Sequence, residues 1–132
     1  MLIAGAGGHA IELINILEMD GYPQDIFALD EIQEHSQPLG GKYTVLHSID
    51  QVEEVFKINR AFAIGVGKPL LRQALAKKLE SLGGELQSII SSQSSIGKHQ
   101  VNLGSGLNIL QGAVITQRIT IGKGSLVHIH CS

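Results

Sequence analysis

Two glycine-rich turns contain the residues best suited to hold a ligand. The first reads Gly5-Ala-Gly-Gly-His-Ala10 and the second reads Gly65-Val-Gly67, followed directly by Lys68. Each turn lies between a short apolar run and a helix-like pattern, and the N–H groups of a helix N-terminus favour a phosphate. The alternative is that the glycines only turn the chain. The glycines expected to line a ligand are Gly5, Gly7, Gly8, Gly65 and Gly67.

Three polar side chains near these turns are candidates for the same site. His9 either donates to a phosphate or sugar, or simply tolerates an exposed first helical turn. Asp30 ends a predicted strand, where it either holds a ribose hydroxyl, as in enzymes with a G-x-G-x-x-A turn, or caps the next turn. Lys68 either faces a phosphate or is a solvated lysine at a helix start. The residues interpreted as solvated surface without a role are His35, His47, Lys77 and Lys78.

These turns require a framework of alternating strands and helices. Apolar runs predict strands at residues 1–4, 25–30, 61–66 and 86–90. The spacing of Ile11, Leu13, Ile14, Ile16 and Leu17 predicts an amphipathic helix that ends near Met19. A second helix is predicted over 49–56 with Ser48 as its N-cap. A third is predicted with Pro69 in its first turn and Gly83-Gly84 as its stop, and the residues expected to share its apolar face are Leu70, Leu71, Ala74, Leu75 and Leu79.

Strands that alternate with helices predict a parallel α/β sheet with right-handed crossovers. Such sheets bind ligands beyond the carboxyl ends of their strands. Because both glycine turns follow strands, both are expected at that edge of the sheet.

The second half of the chain repeats every six residues. Its hexads begin at Leu103, Ile109, Ile115, Ile121 and Val127, and Ile90 and Ile96 continue the spacing upstream with one inserted residue. This pattern favours a parallel β-solenoid of stacked 18-residue turns over the alternative of an amphipathic strand pair. Cys131 falls at a small interior position. His128 and His130 fall at outward positions of one strand, and no metal site is expected because no acidic or further cysteine partner is near them.

Composition separates the same two halves. All 12 acidic residues lie between Glu12 and Glu85, and none follows. We therefore predict one domain over residues 1–86 and a second over 87–132. A net charge of −2 argues against a basic nucleic-acid surface. No membrane span or secretory signal is expected, and a single cysteine is typical of the cytoplasm.

Four features point to one known family: the glycine turns, the strand end at Asp30-Glu31, the Ile64–Gly67 segment and the hexads. In these features the chain resembles the NeuD/PglD-like family of bacterial sugar O- and N-acyltransferases. The resemblance implies a Rossmann-like α/β domain followed by the first coils of a left-handed parallel β-helix. It implies acetyl transfer from acetyl-CoA to an amine or hydroxyl of a nucleotide-sugar or sialic-acid-like substrate, for surface glycans. It also implies a homotrimer with coenzyme A between neighbouring subunits.

The resemblance also assigns site residues. It implies that His9 and the first glycine turn line the phosphate or sugar, that Asp30 holds the uridine side, and that Gly65 and Gly67 face the same cleft. His128 occupies a place near the acceptor.

Two departures from the family pattern stand out. Residues 91–95 read Ser-Ser-Gln-Ser-Ser where the family usually has His-Pro-Ser-Ala. The general-base histidine of the family belongs to a hexad that would follow residue 132, and His130 substitutes for it only if the register slips. We therefore expect a C-terminally shortened acetyltransferase that lacks its catalytic histidine. The alternatives are a nucleotide-sugar-binding or regulatory module without catalysis, and an NAD-binding domain of oxidoreductase type.

Overall fold

In the computed structural model, strands and helices alternate along the first two thirds of the chain, and only short strands follow. The described residues are 1–30, 42–96, 102–103, 106–110, 114–115, 120–121 and 126–127. The helices of these ranges are Gly8–Met19 (α1), Ile49–Phe56 (α2) and Pro69–Ser81 (α3). The strands before residue 87 are Leu2–Ala4 (β1), Phe27–Leu29 (β2), Val45–Leu46 (β3), Ala61–Ile64 (β4) and Glu85–Leu86 (β5).

These five strands form one parallel sheet in the order β3-β2-β1-β4-β5. In the middle of the sheet, Ile3 pairs with Ala28 on one side and with Ala63 on the other. The chain runs outward from β1 through β2 to β3, and then crosses back to β4 and β5. The strand order therefore reverses between β1 and β4. The predicted parallel α/β sheet is confirmed, although the two-residue strand β3 was not predicted.

Helices cover both faces of the sheet because side chains alternate along each strand. Ile3 of β1 joins a core with the inner face of α1, whereas Leu2 and Ala4 join a second core on the other face. That second core contains Val52 of α2 and Leu79 of α3. Both cores consist of apolar residues, so burial of apolar surface is the main force that holds the helices on the sheet.

The predicted apolar faces of two helices are partly wrong. Leu70 and Leu71 are 81% and 44% exposed, and Ala74 is exposed as well. The inward stripe of α3 instead contains four residues at helical spacing, namely Arg72, Leu75, Ala76 and Leu79. On α1, Ile11 is also exposed, while the other four predicted core positions are buried. The apolar residues of α3 define two overlapping stripes, and the contacts of Leu79 and Arg72 with β4 decide which one faces the sheet.

The later strands form three further parallel sheets. Each has two residues: Ile89–Ile90 (β6), Ser95–Ile96 (β7), Asn102–Leu103 (β8), Asn108–Ile109 (β9), Val114–Ile115 (β10), Thr120–Ile121 (β11) and Leu126–Val127 (β12). The sheets are β6-β9-β12, β7-β10 and β8-β11, and paired residues lie 18 or 19 positions apart in the chain. The second residue of every strand is an aliphatic residue of the six-residue spacing.

The single strand predicted over 86–90 is wrong, because the chain changes sheets there. The N–H of Gln87 donates to the Phe62 carbonyl of the first sheet at 2.8 Å, and the N–H of Ile89 donates to the Leu107 carbonyl of a second at 2.7 Å. Ile89 is buried, whereas Ile90, which continues the six-residue spacing, is 37% exposed.

The later strands pack on the α1 side of the first sheet. Ile89 and Leu110 belong to the same core as α1. At the far end of α1, the Ser92 hydroxyl donates to Asp20 Oδ1 at 2.6 Å. The two segments therefore share apolar and polar contacts. None of the helices in the described ranges combines the length and apolar character needed to cross a bilayer.

Candidate functional site

The two glycine turns meet where the strand order reverses. The N–H of Gly5 donates to the Leu29 carbonyl at 3.0 Å, and the N–H of Gly65 donates to the Ala4 carbonyl at 2.9 Å. A Cβ at Gly5 would lie 2.6 Å from the Gly65 oxygen, and Gly5 has a φ of +137°. A Cβ at Gly65 would lie 2.5 Å from Ile3 Cγ2. The fold itself therefore requires glycine at both positions.

The other three glycines of the turns have a different environment. Gly7, Gly8 and Gly67 are exposed, and a Cβ at any of them would meet no atom within 4 Å. Packing does not explain these glycines, whereas close approach of a ligand to the backbone would. The structure brings the two turns together at the crevice where open α/β sheets bind ligands.

The helices that begin at the two turns have open N-termini. The N-cap of α1 is Gly7 and that of α3 is Lys68, and neither forms a side-chain capping hydrogen bond. Neither helix has an acidic residue in its first turn. Because a helix N-terminus carries partial positive charge and unsatisfied N–H groups, both ends suit an anion.

A buried polar cluster joins the first turn to the later strands. His9 Nε2 lies 3.1 Å from Asn108 Oδ1 of β9, and Arg72 Nη1 donates to the same oxygen at 2.7 Å. Asn108 is fully buried, and the His9 side chain is only 14% exposed. The interpretation of His9 as a residue of an exposed turn is therefore wrong. Its other ring nitrogen, Nδ1, lies 3.7 Å from the carboxylate of Glu12.

Arg72 places a positive charge directly behind the second glycine turn. Its Nη1 also donates to the carbonyls of Val66 and Ile64, at 2.8 and 3.3 Å. Burial lowers the pKa of the Arg72 guanidinium, but arginine keeps its charge in proteins. Hydrogen bonds to these oxygens offset part of the cost of burying that charge. The positive charge adds to the attraction that the two helix ends exert on an anion.

Sequence reasoning missed both Arg72 and Asn108. The only available signal for Arg72 was its position three and seven residues before Leu75 and Leu79, on one helical face. No local signal marked Asn108, whose contacts reach 36 and 99 residues back along the chain.

Asp30 lies at the same edge of the sheet, at the end of β2. It is 7% exposed, and its N–H donates to the Leu46 carbonyl at 2.8 Å. His47 Nδ1 lies 2.8 Å from the Asp30 carbonyl oxygen, to which it donates. The interpretation of His47 as solvated surface is therefore wrong, because its ring holds the backbone at the end of β2. The turn that Asp30 was expected to cap lies outside the described residues.

Three predicted lysines are not part of this cluster. Lys68 is exposed at the start of α3, and Lys77 and Lys78 are exposed near its end. Three predicted positions, His35, His128 and His130, lie outside the described residues, as does Cys131. Within the described ranges, no group of three or more His, Cys, Asp or Glu side chains could hold a metal ion.

Residues 1–79, more than half of the chain, match the family model of the PglD N-terminal domain. The chain belongs to the PglD N-terminal domain family. Both glycine turns, Asp30 and most of α3 lie within the matched residues. The sequence-based resemblance to PglD-like proteins is therefore confirmed. No curated protein matches the chain significantly.

Solved structures support the same fold for this PglD N-terminal family member. One of them is a variant of perosamine N-acetyltransferase from Caulobacter crescentus in which asparagine replaces a histidine, in complex with CoA and GDP-perosamine. It aligns with a TM-score of 0.82 and 22% identity. That alignment covers 96% of this chain and 59% of the other. The acetyltransferase domain of PglB from Neisseria gonorrhoeae, in complex with acetyl coenzyme A, aligns with a TM-score of 0.69 and 18% identity, over 95% of this chain and 65% of that one. The chain thus spans about three fifths of the length of the perosamine N-acetyltransferase.

Proposed function

We propose that this protein acts in sugar acetylation, and that the crevice between β1 and β4 binds the diphosphate of a nucleotide-linked sugar. The observation that carries this proposal is the pair of uncapped helix N-termini that begin at touching turns, Gly7 for α1 and Lys68 for α3. The charge of Arg72 lies behind them. A phosphate there would accept from backbone N–H groups, and the open space at Gly7, Gly8 and Gly67 would admit it.

The neighbouring strands indicate the orientation in which the nucleotide sugar would bind. In this arrangement Asp30, at the end of β2, lies on the nucleoside side, where its carboxylate would accept from a base or ribose. His9, at the start of α1, lies on the side of the later strands and would contact the sugar. Gly5 and Gly65 support the two turns from behind.

We further propose that the later strands are the first coils of a left-handed parallel β-helix, with a boundary between residues 86 and 87. Hexapeptide periodicity and three parallel sheets whose partners lie 18 or 19 residues apart support this. The complex of perosamine N-acetyltransferase with CoA supports acetyl-CoA as the second substrate. A cytoplasmic homotrimer, with coenzyme A between subunits and His128 near the acceptor, completes the proposal.

The proposed reaction transfers the acetyl group from sulfur to a sugar amine or hydroxyl. The nucleophile forms a bond to the carbonyl carbon, the carbon–sulfur bond breaks, and free coenzyme A leaves. A general base must take the proton of the nucleophile, a contribution of typically 10²–10⁴-fold in rate. His130 serves as that base only if the hexad register slips, and the resemblance implies that the family's own base belongs to a later hexad.

Ligand-dependent thermal stabilisation tests the binding step. We expect GDP- or UDP-linked amino sugars to raise Tm, since a ligand at about 100 times its Kd stabilises by about 2.7 kcal/mol. Stabilisation by NAD but by no nucleotide sugar would contradict the proposal and favour an oxidoreductase-type domain.

Coenzyme A release tests the transfer step. Free thiol is measured with acetyl-CoA and the nucleotide sugar that binds best, and each substrate alone serves as the control. Release that needs both substrates supports acetyl transfer. Binding without release would contradict catalysis by this chain and favour a nucleotide-sugar-binding or regulatory module.

A further inference from the structure

The cluster of His9, Asn108 and Arg72 determines which nitrogen of the His9 ring carries a proton. Arg72 Nη1 can only donate, so the Asn108 atom 2.7 Å from it must be the amide oxygen. The same oxygen lies 3.1 Å from His9 Nε2. Because an amide oxygen only accepts, His9 must donate to it through Nε2–H.

We propose that Asn108 and Arg72 are positioning residues, which hold His9 in the Nε2–H tautomer and make Nδ1 the accepting nitrogen of the ring. Arg72 orients the Asn108 amide, and Asn108 in turn orients the imidazole. Nδ1 lies 3.7 Å from the half-exposed carboxylate of Glu12, so two accepting atoms lie side by side at the start of α1. Such a pair fits a donor on the ligand, a hydroxyl or an ammonium group, and a neutral ring cannot donate from Nδ1 to a phosphate.

This inference rests on the proposed function for the identity of the ligand, but not for the tautomer. The inference assigns two parts of the site to two different chemical groups of the ligand. The backbone N–H groups of the turns take the phosphate, whereas His9 takes a hydroxyl or amine of the sugar. Because Asn108 belongs to β9, the later strands set the chemistry of a residue in the first glycine turn.

The tautomer is measured by long-range proton–nitrogen NMR of the full chain labelled with ¹⁵N, in mildly alkaline buffer. The resonances of His9 are those that disappear in His9→Ala. We expect a pyrrole-like Nε2 and a pyridine-like Nδ1. An Nδ1–H tautomer, or an even mixture of the two, in the unmodified protein would overturn the proposal without any variant having to fold.

Two substitutions of similar size at Asn108 sharpen the test. Asn108→Asp keeps an accepting oxygen beside Arg72, so the Nε2–H tautomer should persist. Asn108→Leu removes the acceptor, and the ring should then populate both tautomers. Retention of a single Nε2–H tautomer in Asn108→Leu would overturn the role of Asn108.

Affinity for the nucleotide sugar that binds best separates positioning from a general structural role. We expect Asn108→Leu to weaken binding roughly tenfold, within the range for a lost hydrogen bond that leaves a buried donor unsatisfied. In a His9→Ala background the same substitution should have little further effect. An equal loss in both backgrounds would overturn the positioning role. If no nucleotide sugar binds at all, the proposed function fails, while the NMR result still decides the tautomer.

Discussion

Helices α1, α2 and α3 begin at the same edge of the sheet but start in two different ways. At α2, the Ser48 hydroxyl accepts from the Gln51 N–H at 3.4 Å, and Asp50 lies in the first turn. At α1 and α3, neither a side-chain cap nor an acidic first-turn residue is present. The protein thus satisfies the positive end of α2 with its own oxygens. The two helix ends beside the strand-order reversal have no such oxygens, and this difference is what the proposed phosphate site requires.

The largest expected effect concerns the contact that brings the two open helix ends together. In Gly5→Ala, the new Cβ would lie 2.6 Å from the Gly65 oxygen at a φ of +137°. We expect a loss of about 2–4 kcal/mol in the free energy of unfolding, from overpacking and backbone strain. Urea denaturation measures it. The matched control is Gly67→Ala, where a Cβ meets open space, and equal losses in the two variants would contradict the distinction between packed and open glycines.

The next effect comes from giving α1 the kind of start that α2 has. Gly7 is the N-cap, with extended backbone and room for a side chain. We expect Gly7→Asp to stabilise the protein by only a few tenths of a kcal/mol, because glycine is a slightly weaker cap than aspartate. It should also weaken nucleotide-sugar binding by about tenfold or more, because its carboxylate repels phosphate and occupies the first-turn N–H groups. Urea denaturation and isothermal titration calorimetry measure the two effects.

The uncharged variant Gly7→Asn separates charge from occupancy. It caps as well as aspartate, so we expect a similar stability but a smaller loss of affinity. If Gly7→Asp binds nucleotide sugars as tightly as the unmodified protein, the N-terminus of α1 is not the phosphate site.

A smaller effect on stability than that of Gly5→Ala is expected at α2, the helix with a side-chain cap. Ser48→Ala removes the side-chain cap of α2 and should cost about 1 kcal/mol in the free energy of unfolding. Nucleotide-sugar affinity should not change, because the start of α2 is already satisfied by the protein. A parallel loss of affinity would show that all three helix starts contribute to the site, and the comparison between them would fail.

Local patterns in the sequence were sufficient where local forces decide the structure. The bounds of α2 and its Ser48 cap follow from apolar spacing and a capping residue, and both were predicted correctly. The positions of the glycine turns at strand ends were predicted for the same reason. The six-residue spacing likewise located the second residue of each later strand.

Contacts between distant parts of the chain account for what sequence reasoning missed. Arg72 is an acceptable core residue only because the Ile64 and Val66 carbonyls and the Asn108 amide surround it. Its burial turns α3 away from the predicted face that contained Leu70. His9 was similarly misjudged because its partner lies 99 residues further on. Polar side chains in such clusters follow tertiary packing, which no local spacing encodes.

The smallest expected effect on nucleotide-sugar affinity separates the contribution of the Lys68 side chain from that of the α3 N-terminus. Lys68 is exposed, so its charge is screened by solvent, and we expect Lys68→Met to weaken nucleotide-sugar binding only about twofold to threefold at low salt. The difference should disappear at high salt, whereas the contribution of the backbone N–H groups should remain.

Titrations at two salt concentrations measure this, with Lys77→Met, at an exposed position further along α3, as the control. A loss as large in Lys77→Met would mean that Lys68 acts through net charge alone. A loss for Lys68→Met that persists at high salt would instead place the lysine in direct contact with the phosphate, so that α3, unlike α1, would offer a side chain as well as an open helix end.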